Sequence, residues 1–77
     1  MLDLLSAKVL AAGICMGFGA IGPAIGEGII GGKAMESIGR NPAVSDKLIP
    51  NMIVAMAITE STGIYSLVIA LIILFAV

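Results

Sequence analysis

Uncharged residues run without a break from Val9 to Gly26, which is 18 residues. A second run, Leu48 to Val77, holds 30 residues and a single charge, Glu60. A helix needs about 20 apolar residues to cross the hydrocarbon of a bilayer. Each run, with its flanks, meets that length. Between them the charges gather: Lys33, Glu36, Arg40, Asp46 and Lys47 fall within fifteen residues. Inside that stretch, "GRNPAVS" combines Gly39, Asn41 and Pro42. Pro42 restricts Asn41 and ends the first helix, and Ser45 is suited to cap the second. The pattern predicts an all-α membrane protein, a single antiparallel hairpin over 1–77. Transmembrane helices cover 4–38 and 45–76, and a polar loop covers 39–44.

A helix over 4–38 is about 50 Å long, and the hydrocarbon core is about 30 Å thick. The surplus turns carry Lys33, Glu36 and Lys47 into headgroups or water. The loop end holds Lys33, Arg40 and Lys47, and the terminal end only Lys8. The positive-inside rule then puts the loop in the cytoplasm. Pro23 and Pro50 fall within the helices and are read as local kinks, which membrane helices tolerate. A signal peptide is the competing reading of the first run. It needs a basic start and a small-residue cleavage site, whereas "MLDLLSAK" places Asp3 before Lys8.

Composition agrees with a membrane protein. The chain is 60% hydrophobic and 12% charged, with a mean hydropathy of +1.18. That leaves too little polar surface to cover a soluble domain. The net charge of −1 offers no basic face for nucleic acid. There is no histidine and no nucleophile–base pair, so catalysis within this chain is not expected, nor an organic cofactor. Cys15 has no second cysteine to pair with and reads as apolar filler, as do the five methionines.

The first helix is rich in glycine. Eight of the ten glycines lie between Gly13 and Gly32, although a glycine costs about 1 kcal/mol against alanine in a helix interior. Gly13 and Gly17, Gly22 and Gly26, and Gly28 and Gly32 stand four apart. Small residues at this spacing let helix backbones approach closely in a membrane. More than one face is smooth, which suits a head-to-tail contact that closes into a ring. A simple helix dimer is the other reading of the same spacing.

Glu60 has a candidate partner in Glu27. Their midpoint, 43.5, falls inside the loop at Ala43 and Val44. In an antiparallel hairpin the two acids therefore share one level, roughly 25 Å from the loop. A charged side chain at mid-membrane costs at least about 2.5 kcal/mol and marks a functional site by default. Two carboxyls at one level cannot both ionise without a cation, so they share a proton, bind a metal ion, or do both. Ile58, Ser61, Thr62 and Tyr65 follow at i, i+3, i+4 and i+7, on one helical face. Glu60 stands about 200° around the helix from Ile58. Such groups converge poorly within one helix, but opposite edges of two adjacent copies can meet.

These residues resemble a family. The glycine-rich first helix, the "GRNP" loop and the acid in the second helix are similar to the c-subunits of F-type ATP synthases, the proteolipids of the rotor ring. The resemblance covers nearly the whole chain. "GPAIGEGIIGGKAMES" (Gly22–Ser37) and "ESTGIYSLVIALIILF" (Glu60–Phe75) are similar to the bacterial sodium-type members. The resemblance implies a closed cylindrical ring of identical copies among the lipids of a bacterial cytoplasmic (inner) membrane. Each interface would hold one ion around Glu60, with Glu27, Ser61, Thr62 and Tyr65 near it and the Ile58 carbonyl completing the shell. Tyr65 would donate to Glu60. The stator a-subunit, bearing an essential arginine, would load and unload the ring. Arg40, Asn41 and Pro42 would meet the foot of the central stalk, formed by the gamma and epsilon subunits. The glycines Gly13, Gly17, Gly22, Gly26, Gly28 and Gly32 would pack the helices.

The resemblance leaves the ion open. A proton needs only a tunable carboxyl, whereas Na+ needs several oxygens to replace its water shell. Glu27, Glu60, Ser61, Thr62 and Tyr65 supply more oxygens than a proton requires. Typical sodium-type members carry glutamine where this chain has Glu27. The extra acid keeps a ligand oxygen, and with Na+ bound it calls for one retained proton. A two-carboxylate Na+ site is the first expectation and an H+-coupled ring using Glu60 the second. A passive pore-forming hairpin is a remote third. It would need neither matched acids nor close glycine packing.

Overall fold

The computed structural model describes residues 3–77. Met1 and Leu2, part of the hairpin expected over 1–77, lie outside the described residues. Helix α1 spans Leu4–Arg40 and helix α2 spans Ser45–Phe75, joined by Asn41 and a single 3-10 turn, Pro42–Val44. The two helices lie side by side in a rod 59 Å long. Both are long and apolar enough to cross a membrane.

Local chemistry sets the helix ends. The Asp3 carboxylate accepts the Ser6 backbone N–H at 2.7 Å and caps α1. That bond, then the Ser6 hydroxyl, holds the Asp3 carboxyl below its ordinary range. At the other end the break is shorter than the 39–44 expected from sequence. Gly39 and Arg40 stay helical. Among the residues before it, proline chiefly restricts the one immediately preceding, and Asn41 leaves the helical region, at φ −145° and ψ 87°. Arg40 reaches back one turn to Glu36, 2.6 Å away, which favours the last helical turn. Asn41 donates its N–H to the Ser37 carbonyl at 3.0 Å. Its side-chain oxygen accepts the Ala43 N–H at 3.3 Å.

Ser45 does not cap α2. The 3-10 turn delivers the chain already in helical geometry, so Ser45 is the first helical residue, at φ −57° and ψ −41°. Val44 holds the cap position without a side-chain bond. At its far end α2 stops at Phe75, and the Ala76 N–H bonds to the Ile72 carbonyl at 2.8 Å.

The seam between the helices is built from small residues. Ala12, Pro23 and Ala34 are buried on α1, and Gly63 and Ala70 on α2. The bulky apolar side chains, such as Phe18, Ile25, Ile53 and Phe75, point outward. Lipid is as apolar as leucine, so burying large side chains between membrane helices gains little, and close backbone approach gains more.

The glycines divide into two sets. A Cβ on Gly26 would lie 2.7 Å from Thr59 Cγ2, and one on Gly31 would lie 2.9 Å from Met56 Cε. A Cβ on Gly19 would collide with the Ser66 side chain. These three let α2 close on α1. Gly13, Gly17, Gly22, Gly28 and Gly32 face open space within the single chain. Gly26, placed by its spacing with Gly22 on one stripe, serves the hairpin itself.

This division is testable. In detergent-solubilised single hairpins, Gly26→Leu should lower stability by about 1–3 kcal/mol. Gly28→Ala, whose methyl meets nothing, should leave it unchanged or slightly raised. Helicity followed through a titration with sodium dodecyl sulfate would show the contrast.

Candidate functional site

Glu27 and Glu60 occupy the middle thirds of α1 and α2, and both are half-buried. Their carboxyl groups face each other across the hairpin, close enough to interact. The turn makes this meeting possible. The midpoint of the two positions falls within Pro42–Val44, and both helices advance by the same rise per residue away from it.

Two further residues shape the pair. Pro23 lies one turn before Glu27, and Gly63 lies just under one turn after Glu60; both are buried. Glu60 Oε1 lies 2.8 Å from the point a Cβ on Gly63 would occupy, and Pro23 Cγ lies 3.5 Å from the same point. The Glu60 side chain thus runs along its own helix into the space left by Gly63, which Pro23 also borders. Neither residue follows from composition or charge. The available signal was positional: Gly63 is the one glycine of α2 and stands at i+3 from the acid.

The hydroxyl groups fall into a different arrangement. Ser61 Oγ donates to the Ile58 carbonyl at 2.6 Å, joining two of the expected ligands. Thr62 is exposed, and Ile58 and Tyr65 are 69% and 68% exposed on the outer face of α2. A single chain therefore gathers the two carboxyls at its seam and leaves the Thr62 and Tyr65 side chains open to whatever adjoins that face. Thr59 donates to the Ala55 carbonyl at 2.9 Å and turns its methyl to Gly26, a packing role. Cys15 donates to the Ser66 carbonyl at 3.4 Å across the seam.

The chemistry open to this arrangement is ion exchange. Two facing carboxyls in a medium of low dielectric repel each other when both are ionised, which favours a proton or a cation between them. Among the described residues no three His, Cys, Asp or Glu side chains converge. A cation here would therefore need neutral oxygens as well. At the loop, Arg40, Asn41 and Pro42 are all exposed. Arg40 is engaged by Glu36, and Asn41 by the turn itself.

Known proteins share this arrangement of sequence. Residues 10–73 match the family described as the C subunit of ATP synthase. The chain is 59% identical over 68 residues to the ATP synthase c-subunit of Petrotoga mobilis, covering 88% of this chain and 71% of that one. It is 53% identical over 70 residues to the c-subunit of Thermotoga maritima, covering 91% and 82%. It is 48% identical over 73 residues to that of Alkaliphilus oremlandii, covering 95% and 82%. With the match running through both helices and the turn, the chain belongs to the c-subunit family of ATP synthases.

Proposed function

We propose that this chain carries Na+ across a bacterial cytoplasmic membrane as one unit of a ring of identical copies. The observation that carries the reading is the meeting of the Glu27 and Glu60 carboxyls at one level of the hairpin. The c-subunit is a rotor proteolipid without a catalytic role, so ATP chemistry belongs elsewhere in the complex. The work of this chain is to take up an ion, move with it and give it up.

Each step rests on named groups. Glu60 supplies the charge that the ion neutralises. Glu27 supplies a second carboxyl oxygen. Ser61, Thr62, Tyr65 and the Ile58 carbonyl lie toward the outer face, where the neighbouring copy completes the shell. Gly13, Gly17, Gly22, Gly28 and Gly32, open in the single chain, let that neighbour approach. A loaded site carries little net charge and enters lipid at low cost. An emptied site is anionic and is held at the stator a-subunit until it reloads. Passage of one charge through 100 mV is worth about 2.3 kcal/mol, so a ring must add several such steps for each ATP. The exposed turn at Arg40, Asn41 and Pro42 delivers the rotation to the gamma and epsilon subunits of the central stalk. Reversed, ATP hydrolysis pumps the ion outward. The positive residues of the loop end support a cytoplasmic loop.

Na+ is favoured over H+ by the number of oxygens near Glu60, which a proton does not require. An H+-coupled ring with Glu27 as hydrogen-bond partner to Glu60 is the second reading, supported by the same facing carboxyls.

Three outcomes are expected. Carbodiimide should modify Glu60 in the solubilised ring, and Na+ at fixed pH should slow the reaction. Modification indifferent to Na+ would remove the sodium reading and leave the proton one. Second, the Na+-loaded ring should keep one protonated carboxyl per site. Infrared spectra should show its carbonyl band in the native ring and lose it in Glu27→Gln. Third, Arg40→Ala removes an exposed i,i+4 pair worth about 0.2–0.5 kcal/mol, so the ring should stay assembled. ATP-driven transport should nevertheless fall several-fold, measured as Na+ uptake into inverted vesicles.

A further inference from the structure

Among the described helix positions, Gly63 is a glycine whose close neighbour belongs to its own helix. The atoms nearest a Cβ placed on it are Glu60 Oε1 at 2.8 Å, Glu60 Cδ at 3.5 Å and Pro23 Cγ at 3.5 Å. The first distance is too short for any real contact with a methyl group. The third is an ordinary van der Waals separation. A methyl at position 63 therefore fits against the opposite helix and displaces the Glu60 carboxyl. Gly26 and Gly31 differ, because the atoms they would strike, Thr59 Cγ2 and Met56 Cε, belong to the other helix. Those glycines keep the helices together. Gly63 keeps a place for a side chain.

A glycine inside a long helix is also unfavourable by about 1 kcal/mol against alanine. At position 63 the seam would accept the alanine, so helix packing does not account for the glycine. Gly63 is buried within the single chain, so contact with a neighbouring copy does not account for it either.

We infer that Gly63 is a positioning residue of the ion site. Its bare Cα leaves a seat, walled by Pro23, into which the Glu60 side chain folds. From that seat the carboxyl meets Glu27. Without it the carboxyl turns toward the outer edge of α2, where Thr62 and Tyr65 stand. The functional consequence rests on the reading of Glu60 as the ion-carrying acid; the geometric statement does not.

The test uses the assembled synthase in liposomes, native and Gly63→Ala. Carbon–carbon magnetic resonance reads two contacts in the ring: Glu27 carboxyl to Glu60 carboxyl, and Thr59 methyl to Gly26 Cα. ATP-driven ion uptake is measured on the same liposomes. Gly63→Ala should lose the first contact and keep the second, and uptake should fall at least about tenfold, as a misplaced reacting group does. An unchanged Glu27–Glu60 contact overturns the inference. So does loss of both contacts together, or failure of the ring to assemble, because each would make Gly63 a packing residue. Glu60→Gln serves as the separate control. If it still transports, the ion-carrying reading of Glu60 fails while the two contacts still decide the role of Gly63.

Discussion

A carboxyl group inside hydrocarbon must be neutral or paired, and two of them facing each other must be bridged. That constraint organises this hairpin. It requires the two helices to hold Glu27 and Glu60 at one level, and so requires a close and fixed seam. The seam is made of alanine, glycine and proline rather than of large side chains. In a soluble protein such a seam would be weak, since little apolar surface leaves water. In lipid the comparison changes, because apolar burial between helices carries little driving force and close packing carries more. The bulky residues accordingly turn outward, and the acids turn in.

The same constraint explains why the site divides between two faces. The carboxyls share a seam inside one chain, while the exposed Thr62 and Tyr65 look away from it. The angle around α2 between Ile58 and Glu60 forces that division, since one helix cannot turn both edges to one point. The proposed completion by a second copy would answer that division, and the open glycines of α1 offer a smooth surface. Proton and cation readings alike share this division; they differ in how many of the outer oxygens take part.

Much of this was legible in the chain. The hydrophobic runs located both helices, and the midpoint of Glu27 and Glu60 put the acids opposite each other. The arithmetic works because both helices rise equally and the turn between them is nearly symmetrical. Other features were not legible. Gly39 and Arg40 read as loop, since glycine and a charge beside Asn41–Pro42 look like a break. Among the preceding residues the proline nonetheless acts chiefly on Asn41, and the ladder of hydrogen bonds continues to that residue. Ser45 has the right side chain for a cap, but the 3-10 turn removes the need for one. The glycine spacing gave stripes but not their partners. Gly26 and Gly28 are two residues apart, yet Gly26 faces Thr59 and Gly28 faces open space, which spacing alone does not reveal. Gly63 was passed over because nothing in a sequence says where a flexible glutamate folds.

The turn has one more consequence. Surface connections usually tolerate insertions and deletions better than the elements they join. Here only Asn41 and a three-residue 3-10 turn separate two helices. One residue added in α2 between the turn and Glu60 would displace Glu60 by about 1.5 Å along the axis and about 100° around it. Glu60 would then leave Glu27 for a face of lipid. The register that α2 takes from a water-exposed turn is thus tied to the meeting of two carboxyls deep in the membrane.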